Sequence, residues 1–417
     1  MPYQTVKGMR DFLPEQAKKK QFIEDVLRRV FESYGYEPLQ TPIVEEFDLL
    51  AAKGSGGEAI KEEIYWFRDK SERELGLRYD LTVPFARVVA TNRMLQRPFK
   101  RYCISTVYRY DRPQAKRYRE FTQADVDIAG VKSVMADFEI LQISVDVMRK
   151  LGFEFKITVN NRVVLEELAK SCGVSEEQIK DAFRSIDKLD KIGEKEVRRE
   201  FREKGIDDLI LDKIFVNSLE GVKEKIGQTD SLKELEEILE LCKANNFAEV
   251  VFDLSLARGL EYYTGNVFEI KLNDGPSMGA GGRYDKLIGL YGGEATPAVG
   301  ISFGVDRLFD ALEPELIIGP NTDLFIMPFS KEEGIEATKL ASKIRSKGVS
   351  VEIDLAGRNI KKNFEYANKR SIPFVIVLGE NELKGGRFKL KELATGKEEE
   401  FSFEDAQKIA SRIKGLN

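Results

Sequence analysis

The chain has 417 residues and a net charge of −5, enough for at least two domains and too acidic overall for a general polyanion binder, so any nucleic-acid contact must come from local basic patches. No apolar run is long enough to span a membrane and no signal-peptide start is evident, so a cytoplasmic protein is expected. The chain has no histidine, which removes Ser-His triads, His general bases and His-ligated zinc, and Cys103, Cys172 and Cys242 lie too far apart for a zinc site.

Residues 15–34 read as an amphipathic helix, with Phe22, Val26, Val30 and Tyr34 recurring at fours before Gly35. Tyr36 to Glu45 reads as extended, and its prolines, Pro38 and Pro42, imply an edge strand or an interface. Ile64–Arg68 and Leu75–Tyr79 read as a hairpin, and Thr82 as the cap of a helix starting near Val83. Arg101–Tyr110 and Phe121–Ile128 read as long strands joined by a basic loop. From about 166 to 246 the sequence turns Glu/Lys-rich with helical spacing, and Ser231 with Glu234 suggests a capping box. Strand-like sequence resumes at Val250 and continues through Gly279–Gly282 and Val299–Val305. Pro314–Thr322 reads as a linker. Beyond it Leu324–Pro328, Val349–Asp354 and Phe374–Leu378 alternate with helices at about 331–346 and 358–370, the rhythm of a small α/β domain with a largely parallel sheet.

Three stretches carry candidate chemistry. Arg258-Gly259-Leu260-Glu261-Tyr262-Tyr263 follows an apolar strand and can bring a guanidinium and two tyrosine rings to one pocket, suited to an anion and a flat polar ring; the alternative is a half-buried strand with a surface arginine. Residues 112–119 hold four basic side chains and no acid, fit to clamp phosphates or meet a nucleic-acid end, or else a solvated loop. Gln123, Asp125 and Asp127 alternate on one strand face, either as a pocket floor or as wet surface. Gly279, Gly281 and Gly282 suggest backbone bare of side chains beside a pocket, or a turn. Gly304 suggests room for a nucleotide against the sheet, or a bulge.

These peptides resemble class II aminoacyl-tRNA synthetases. Pro42 after its extended segment is similar to the first signature of that class, Arg109 with Asp111 to the second, and Gly300–Arg307 to the third. Arg258–Tyr263, Gly281-Gly282-Arg283-Tyr284-Asp285 and the opening Lys7–Pro14 resemble the histidyl-tRNA synthetase family in particular, and the resemblance covers nearly the whole chain. It implies an α+β catalytic domain on a mainly antiparallel sheet, in parts 1–165 and 249–318, with a helical insertion 166–248 and a C-terminal anticodon-binding α/β domain 323–417. It also implies activation of histidine by ATP with Mg²⁺, transfer to tRNA(His), and a homodimer around Pro42.

By the same resemblance, Arg109 would hold the ATP α-phosphate, with Arg258 across from it. Phe121 and Arg307 would sandwich adenine, Asp111 would read its amino group, and Arg117 would bind the outer phosphates. Asp80, Thr82 and Gln123 would hold the α-amino group of histidine. Asp127 and Tyr263 would bind its ring nitrogens, with Tyr262 lining the pocket. Arg112, Gln114 and Lys116 would meet the tRNA acceptor end. Arg358, Lys361 and Lys362 would lie in the anticodon region, on a helix 358–370 where five basic residues face Glu365 alone. Asp80-Leu81-Thr82 and Asp127 depart from the bacterial pattern toward the archaeal and eukaryotic branch. A synthetase-like regulatory subunit of ATP phosphoribosyltransferase is the alternative, against which stand the intact Arg258–Tyr263 peptide and the appended domain.

Overall fold

The computed structural model describes residues 3–52, 62–110, 118–186, 188–208, 211–212, 218–257, 262–273 and 275–415. The chain divides into two compact units, Met1–Leu316 and Ile317–Asn417. Among the described residues, no helix is long and apolar enough to cross a membrane.

In the first unit a helix, Pro14–Ser33, opens with proline at its first turn and buries Ile23, Val26, Leu27, Val30 and Phe31 along one stripe. Strand β1 (Glu37–Pro38) follows at a sheet edge, where a proline costs no ladder bond. Strands β2 (Val44–Glu46), β3 (Trp66–Arg68) and β4 (Glu74–Leu77) make a small antiparallel sheet.

The main sheet adds β5 (Phe99–Tyr108), β6 (Glu120–Ala129), β7 (Phe155–Asn161), β8 (Val250–Phe252), β9 (Asn266–Leu272), β10 (Ser277–Arg283) and β11 (Ala298–Gly304). Its order is β1-β5-β6-β11-β10-β9-β7-β8. Only the β1–β5 and β7–β8 pairings at its two ends are parallel. Ala124, Val126 and Ile128 of β6 and Val299, Ile301 and Phe303 of β11 enter the main core with the helices Pro14–Ser33 and Val134–Lys150. By the two-residue period of strands, Gln123, Asp125 and Asp127 therefore occupy the opposite face. Between Arg162 and Ala244 the described chain is helical and builds a separate apolar cluster around Leu168, Phe183 and Phe201.

The second unit holds β12 (Leu324–Pro328), β13 (Val351–Ile353), β14 (Phe374–Leu378), β15 (Arg387–Glu392) and β16 (Glu398–Ser402), ordered β13-β12-β14-β15-β16. The first three in that order are parallel, and β15–β16 is an antiparallel hairpin at the edge. That hairpin was not expected, because its apolar residues, Phe388 and Leu390, stand among lysines and glutamates. Leu324 and Ile326 face one cluster while Phe325 and Met327 face another, as buried strands covered on both sides require.

Two capping expectations are corrected. Thr82 is the first helical residue of Thr82–Thr91, and the cap bond comes from Asp80, whose Oδ1 accepts from Val83 N at 3.0 Å. Thr229, not Ser231, caps Asp230–Ala244 by accepting from Leu232 N, while Ser231 donates to Glu167 at 2.7 Å. Short polar side chains at adjacent positions compete for the same role, and backbone geometry decides between them.

Candidate active site

The open face of the main sheet is polar in its middle. Antiparallel pairing sets Arg101, Cys103 and Ser105 of β5 against Asp127, Asp125 and Gln123 of β6. On the other side the same three residues meet Gly300, Ser302 and Gly304 of β11. The lack of side chains on β11 is obligatory at one point: a Cβ on Gly300 would lie 2.0 Å from Asp127 Oδ1. Acids thus rise on one strand beside a neighbour that carries only two glycines and a serine there, which leaves space above the sheet.

Asp125 and Asp127 are 2 % and 3 % exposed, so the alternation on β6 is not a wet surface. Arg101, also buried, contacts Asp127 Oδ2 at 2.8 Å, and its Nη2 donates to Leu81 O at 3.0 Å. Burial works against the Arg101 charge, but Asp127 and Asp125 outweigh it and hold its pKa above the usual arginine value. Burial pushes the Asp125 carboxyl up to about 7, with Arg101 opposing and the Asp127 charge adding to the rise. Tyr284 donates its hydroxyl to Asp127 Oδ1. Gln123 Oε1, Asp125 Oδ1 and Arg101 Nε and Nη1 are buried and make no hydrogen bond among the described residues. Buried polar atoms are normally paired, so this row fits a polar, cationic guest.

The aromatic wall stands at one end of this row. Tyr262 and Tyr263 have ring centroids 4.2 Å apart, and Tyr262 lies 6.3 Å from Tyr284. Burial, with the charges of Asp80, Asp125 and Asp127, drives the Tyr262 hydroxyl well above its ordinary pKa, so it stays protonated and can donate. Thr264 N donates to Arg283 O at 2.7 Å and Asp285 N to Thr264 Oγ1 at 3.0 Å, so the Gly281–Asp285 peptide fixes the tyrosine pair. Arg283 is itself held by buried Asp137.

At the other end lies Arg109. Its Nε donates to Tyr79 O at 3.0 Å, next to Asp80, and its guanidinium lies 5.3 Å from the Phe121 ring centre. Arg307, on the helix Val305–Leu312, is exposed, and its Nη1 donates to Ser277 O at 2.7 Å. A Cβ on Gly304 would lie 3.3 Å from the Arg307 side chain, close to Gln123 across the β6–β11 pair.

The structure therefore gathers Asp80, Thr82, Arg109, Phe121, Gln123, Asp127, Tyr262, Tyr263 and Arg307 about one sheet face and its rim. Asp111, Arg112, Gln114, Lys116, Arg117 and Arg258 lie outside the described residues. The glycine expectation needs correction at two positions. Gly279 and Gly281 face the core, where an added Cβ would meet Ile270, Phe303 and Ile301; for Gly281 the distance to Gly300 O would be 2.2 Å. Strand packing, not a guest, demands them. Gly282 does face the site, under Tyr263.

Sequence reading gave no role to Arg101 or Tyr284, although both touch Asp127. Arg101 was findable: it and Asp127 stand at equal distances along the chain from Gln114, so a symmetric hairpin pairs them. Tyr284 meets Asp127 only through long-range strand order, which no local pattern encodes.

In the second unit Lys361 and Lys362 are exposed on the helix Ile360–Lys369. Arg358 precedes that helix; it pairs with Asp354 at 2.7 Å and lies 4.4 Å from the Tyr366 ring centre. Its charge is thus already partly spent, which the sequence did not signal.

A family model described as "Histidyl-tRNA synthetase" matches residues 8–308, and one described as "Anticodon binding domain" matches 323–412. The chain is 40 % identical to Histidine--tRNA ligase 2 of Shouchella clausii, covering 96 % of this chain and 98 % of that protein. It is 39 % identical to Histidine--tRNA ligase 1 of Bacillus cereus, covering 95 % of each. Its fold matches the crystal structure of histidyl-tRNA synthetase from Nostoc with a TM-score of 0.86, at 29 % identity, covering 99 % of this chain and 100 % of that one. A Bacillus halodurans structure described as an ATP phosphoribosyltransferase regulatory subunit/histidyl-tRNA synthetase matches with a TM-score of 0.76, at 26 % identity, over 90 % of this chain and 98 % of that one.

Proposed function

The chain belongs to the histidyl-tRNA synthetase family, and on that premise we propose that its pocket turns histidine and ATP into histidyl-adenylate and then passes the histidyl group to the 3′ end of tRNA(His). The observation that carries this reading is the buried acidic row Asp125–Asp127, with Asp80 nearby, set between the Tyr262–Tyr263 wall and the Arg109–Phe121–Arg307 end. A zwitterion with a cationic amine and a flat ring complements the first part, and a nucleotide complements the second.

Asp80, Thr82 and Gln123 hold the α-amino group. Asp127 and Tyr263 bind the ring nitrogens, and Tyr262 lines the wall. Arg109 meets the α-phosphate, while Phe121 and Arg307 take the two faces of adenine. A histidine carboxylate oxygen attacks the α-phosphorus, the bond to the β-phosphate breaks, and pyrophosphate leaves. The 3′-terminal hydroxyl of tRNA then attacks the carbonyl carbon and AMP leaves. Arg109, with Arg258 opposite, offsets charge that develops on the phosphate. Arg258, Asp111 and Arg117, and the acceptor-end roles of Arg112, Gln114 and Lys116, rest on the family resemblance. Among the described residues no three metal-ligating side chains cluster; Mg²⁺ would arrive with ATP and would supply charge neutralisation at its phosphates.

Lys361, Lys362 and Arg358 form the anticodon-facing part of the second unit. A homodimer forms through the edge that carries Pro42: Ile43 and Val44 are 43 % and 40 % exposed there, beside a cleft of about 310 Å³ lined by Pro38, Thr41 and Arg78. The decisive experiment is ATP–pyrophosphate exchange over the standard amino acids. Exchange driven by histidine alone is expected, and its absence in a folded sample with Mg²⁺ removes the reading. The likeness to the Bacillus halodurans protein keeps a regulatory-subunit reading as the second one; it requires that no amino acid drive exchange and no tRNA be charged.

A further inference from the structure

The N-terminal peptide Lys7–Pro14 resembles the family, but none of the pocket roles above uses it. It is bound tightly. The Gly8 carbonyl accepts from Arg119 N at 2.8 Å, at a point where an added Cβ would lie 2.9 Å from the Arg119 side chain and where φ is +88°. Two residues on, Arg10 reaches three partners at once. Its Nη1 donates to Tyr118 Oη at 2.7 Å and to Asp310 Oδ1 at 2.9 Å, and its Nη2 donates to Asp306 Oδ1 at 2.8 Å. Its guanidinium also stacks 3.7 Å from the Tyr118 ring centre and 4.5 Å from that of Phe12.

Asp306 makes this fork consequential. Its other oxygen, Oδ2, accepts from Thr122 N at 2.6 Å. Thr122 follows Phe121 on β6, and Asp306 precedes Arg307 at the start of the helix Val305–Leu312. One carboxylate therefore ties together the two elements that present Phe121 and Arg307. Asp306 is 4 % exposed and Asp310 is on the same helix, so two acids need a cation there. Arg10 is well suited, because a planar fork can hold two carboxylates in fixed directions and a lysine cannot.

We infer that Arg10 is a positioning residue for the adenine slot: by clamping Asp306, Asp310 and Tyr118 it sets the spacing between Phe121 and Arg307, and so governs MgATP binding while leaving the histidine pocket alone. This rests on the reading of Phe121 and Arg307 as the two faces of that slot. The side chains that Arg10 bonds are Tyr118, Asp306 and Asp310, which lie on the adenine side of the proposed site.

The test compares Arg10→Ala, Arg10→Lys and Asp310→Asn in the full-length protein, by calorimetric titration with MgATP and by the KM values for ATP and histidine in pyrophosphate exchange. Arg10→Ala is expected to weaken MgATP binding and raise its KM by at least about tenfold, the scale on which small misplacements act, with the KM for histidine unchanged. Arg10→Lys should recover part of the loss, and Asp310→Asn should show a smaller loss of the same kind. Lys20 lies 3.4 Å from Asp306 and can keep that acid compensated in the alanine variant; should that variant still fail to fold, the other two decide. MgATP binding left intact, or equal losses for both substrates, overturns the inference. If the wild type shows no histidine-dependent exchange, the function proposed above fails instead, and the titration still reads the Arg10 clamp.

Discussion

At the scale of single residues, the pocket is governed by three acids and one arginine in a space with little water access. Asp127 is engaged on both sides, by Arg101 and by Tyr284. Asp127→Asn keeps the shape and removes the charge, so we expect the KM for histidine to rise far more than the KM for ATP in pyrophosphate exchange. The fold should also lose stability, since Arg101 loses its ion-pair partner and keeps only the Asp125 charge beside it. Equal losses for the two substrates would place Asp127 outside the histidine pocket. Asp125 makes a separate prediction about pH. Burial raises its folded-state pKa to about 7, above the ordinary carboxyl value. Between about pH 4 and 7 the folded protein therefore holds a proton that the unfolded chain has released, so this group costs stability progressively as pH rises and costs most above 7. Denaturant melts of the ligand-free protein should show Asp125→Asn gaining on the wild type across that window, by on the order of a few kcal/mol at the top of it. A difference that does not change with pH would show that Asp125 is ionised throughout.

At the scale of elements, what positions the site is strand pairing across bare backbone. A Cβ on Gly281 would lie 2.2 Å from Gly300 O and 2.6 Å from Ile301 Cα, neither of which can move without breaking the β10–β11 ladder. Gly281→Ala should cost about 1–3 kcal/mol by overpacking and should disturb Asp127 through Gly300, so loss of stability and of histidine affinity should appear together. A stable variant with weak histidine binding would instead put Gly281 at the pocket. The sequence made the strands legible because β5, β6 and β11 alternate cleanly, and it made Gln123, Asp125 and Asp127 legible as one face. It could not say which face the core would take, since both readings of three alternating polar residues obey the same period. The partners of Asp127 were hidden for a related reason: Tyr284 arrives from β10 only because the sheet order places β11 between β6 and β10. Caps were misread at Thr82 and Ser231 because adjacent short polar residues satisfy the same pattern. The β15–β16 hairpin escaped because its face is charged.

At the scale of the whole molecule, the two units have separate interiors. The buried clusters of the first unit draw on residues before Leu316, and those around Leu324, Ile326, Phe325 and Met327 draw on residues after Thr322. Each can therefore bury its own apolar surface, the condition for a separable domain. The acids, tyrosines and arginines of the pocket all precede residue 316, whereas Lys361, Lys362 and Arg358 all follow it. Deleting residues from about 320 onward should therefore leave a folded protein whose histidine-dependent pyrophosphate exchange persists. Aminoacylation of tRNA should fall steeply, mainly through KM for tRNA, because an exposed cationic helix acts on a polyanion by ground-state attraction and not on the chemical step. The loss should also depend on salt: the full chain should lose tRNA affinity as salt rises, and the truncated chain should start low and change less. Filter binding across a salt series, together with exchange and charging assays on both proteins, separates these effects. A truncated chain that charges tRNA as well as the full one would mean that the basic helix Ile360–Lys369 is only a solvated surface.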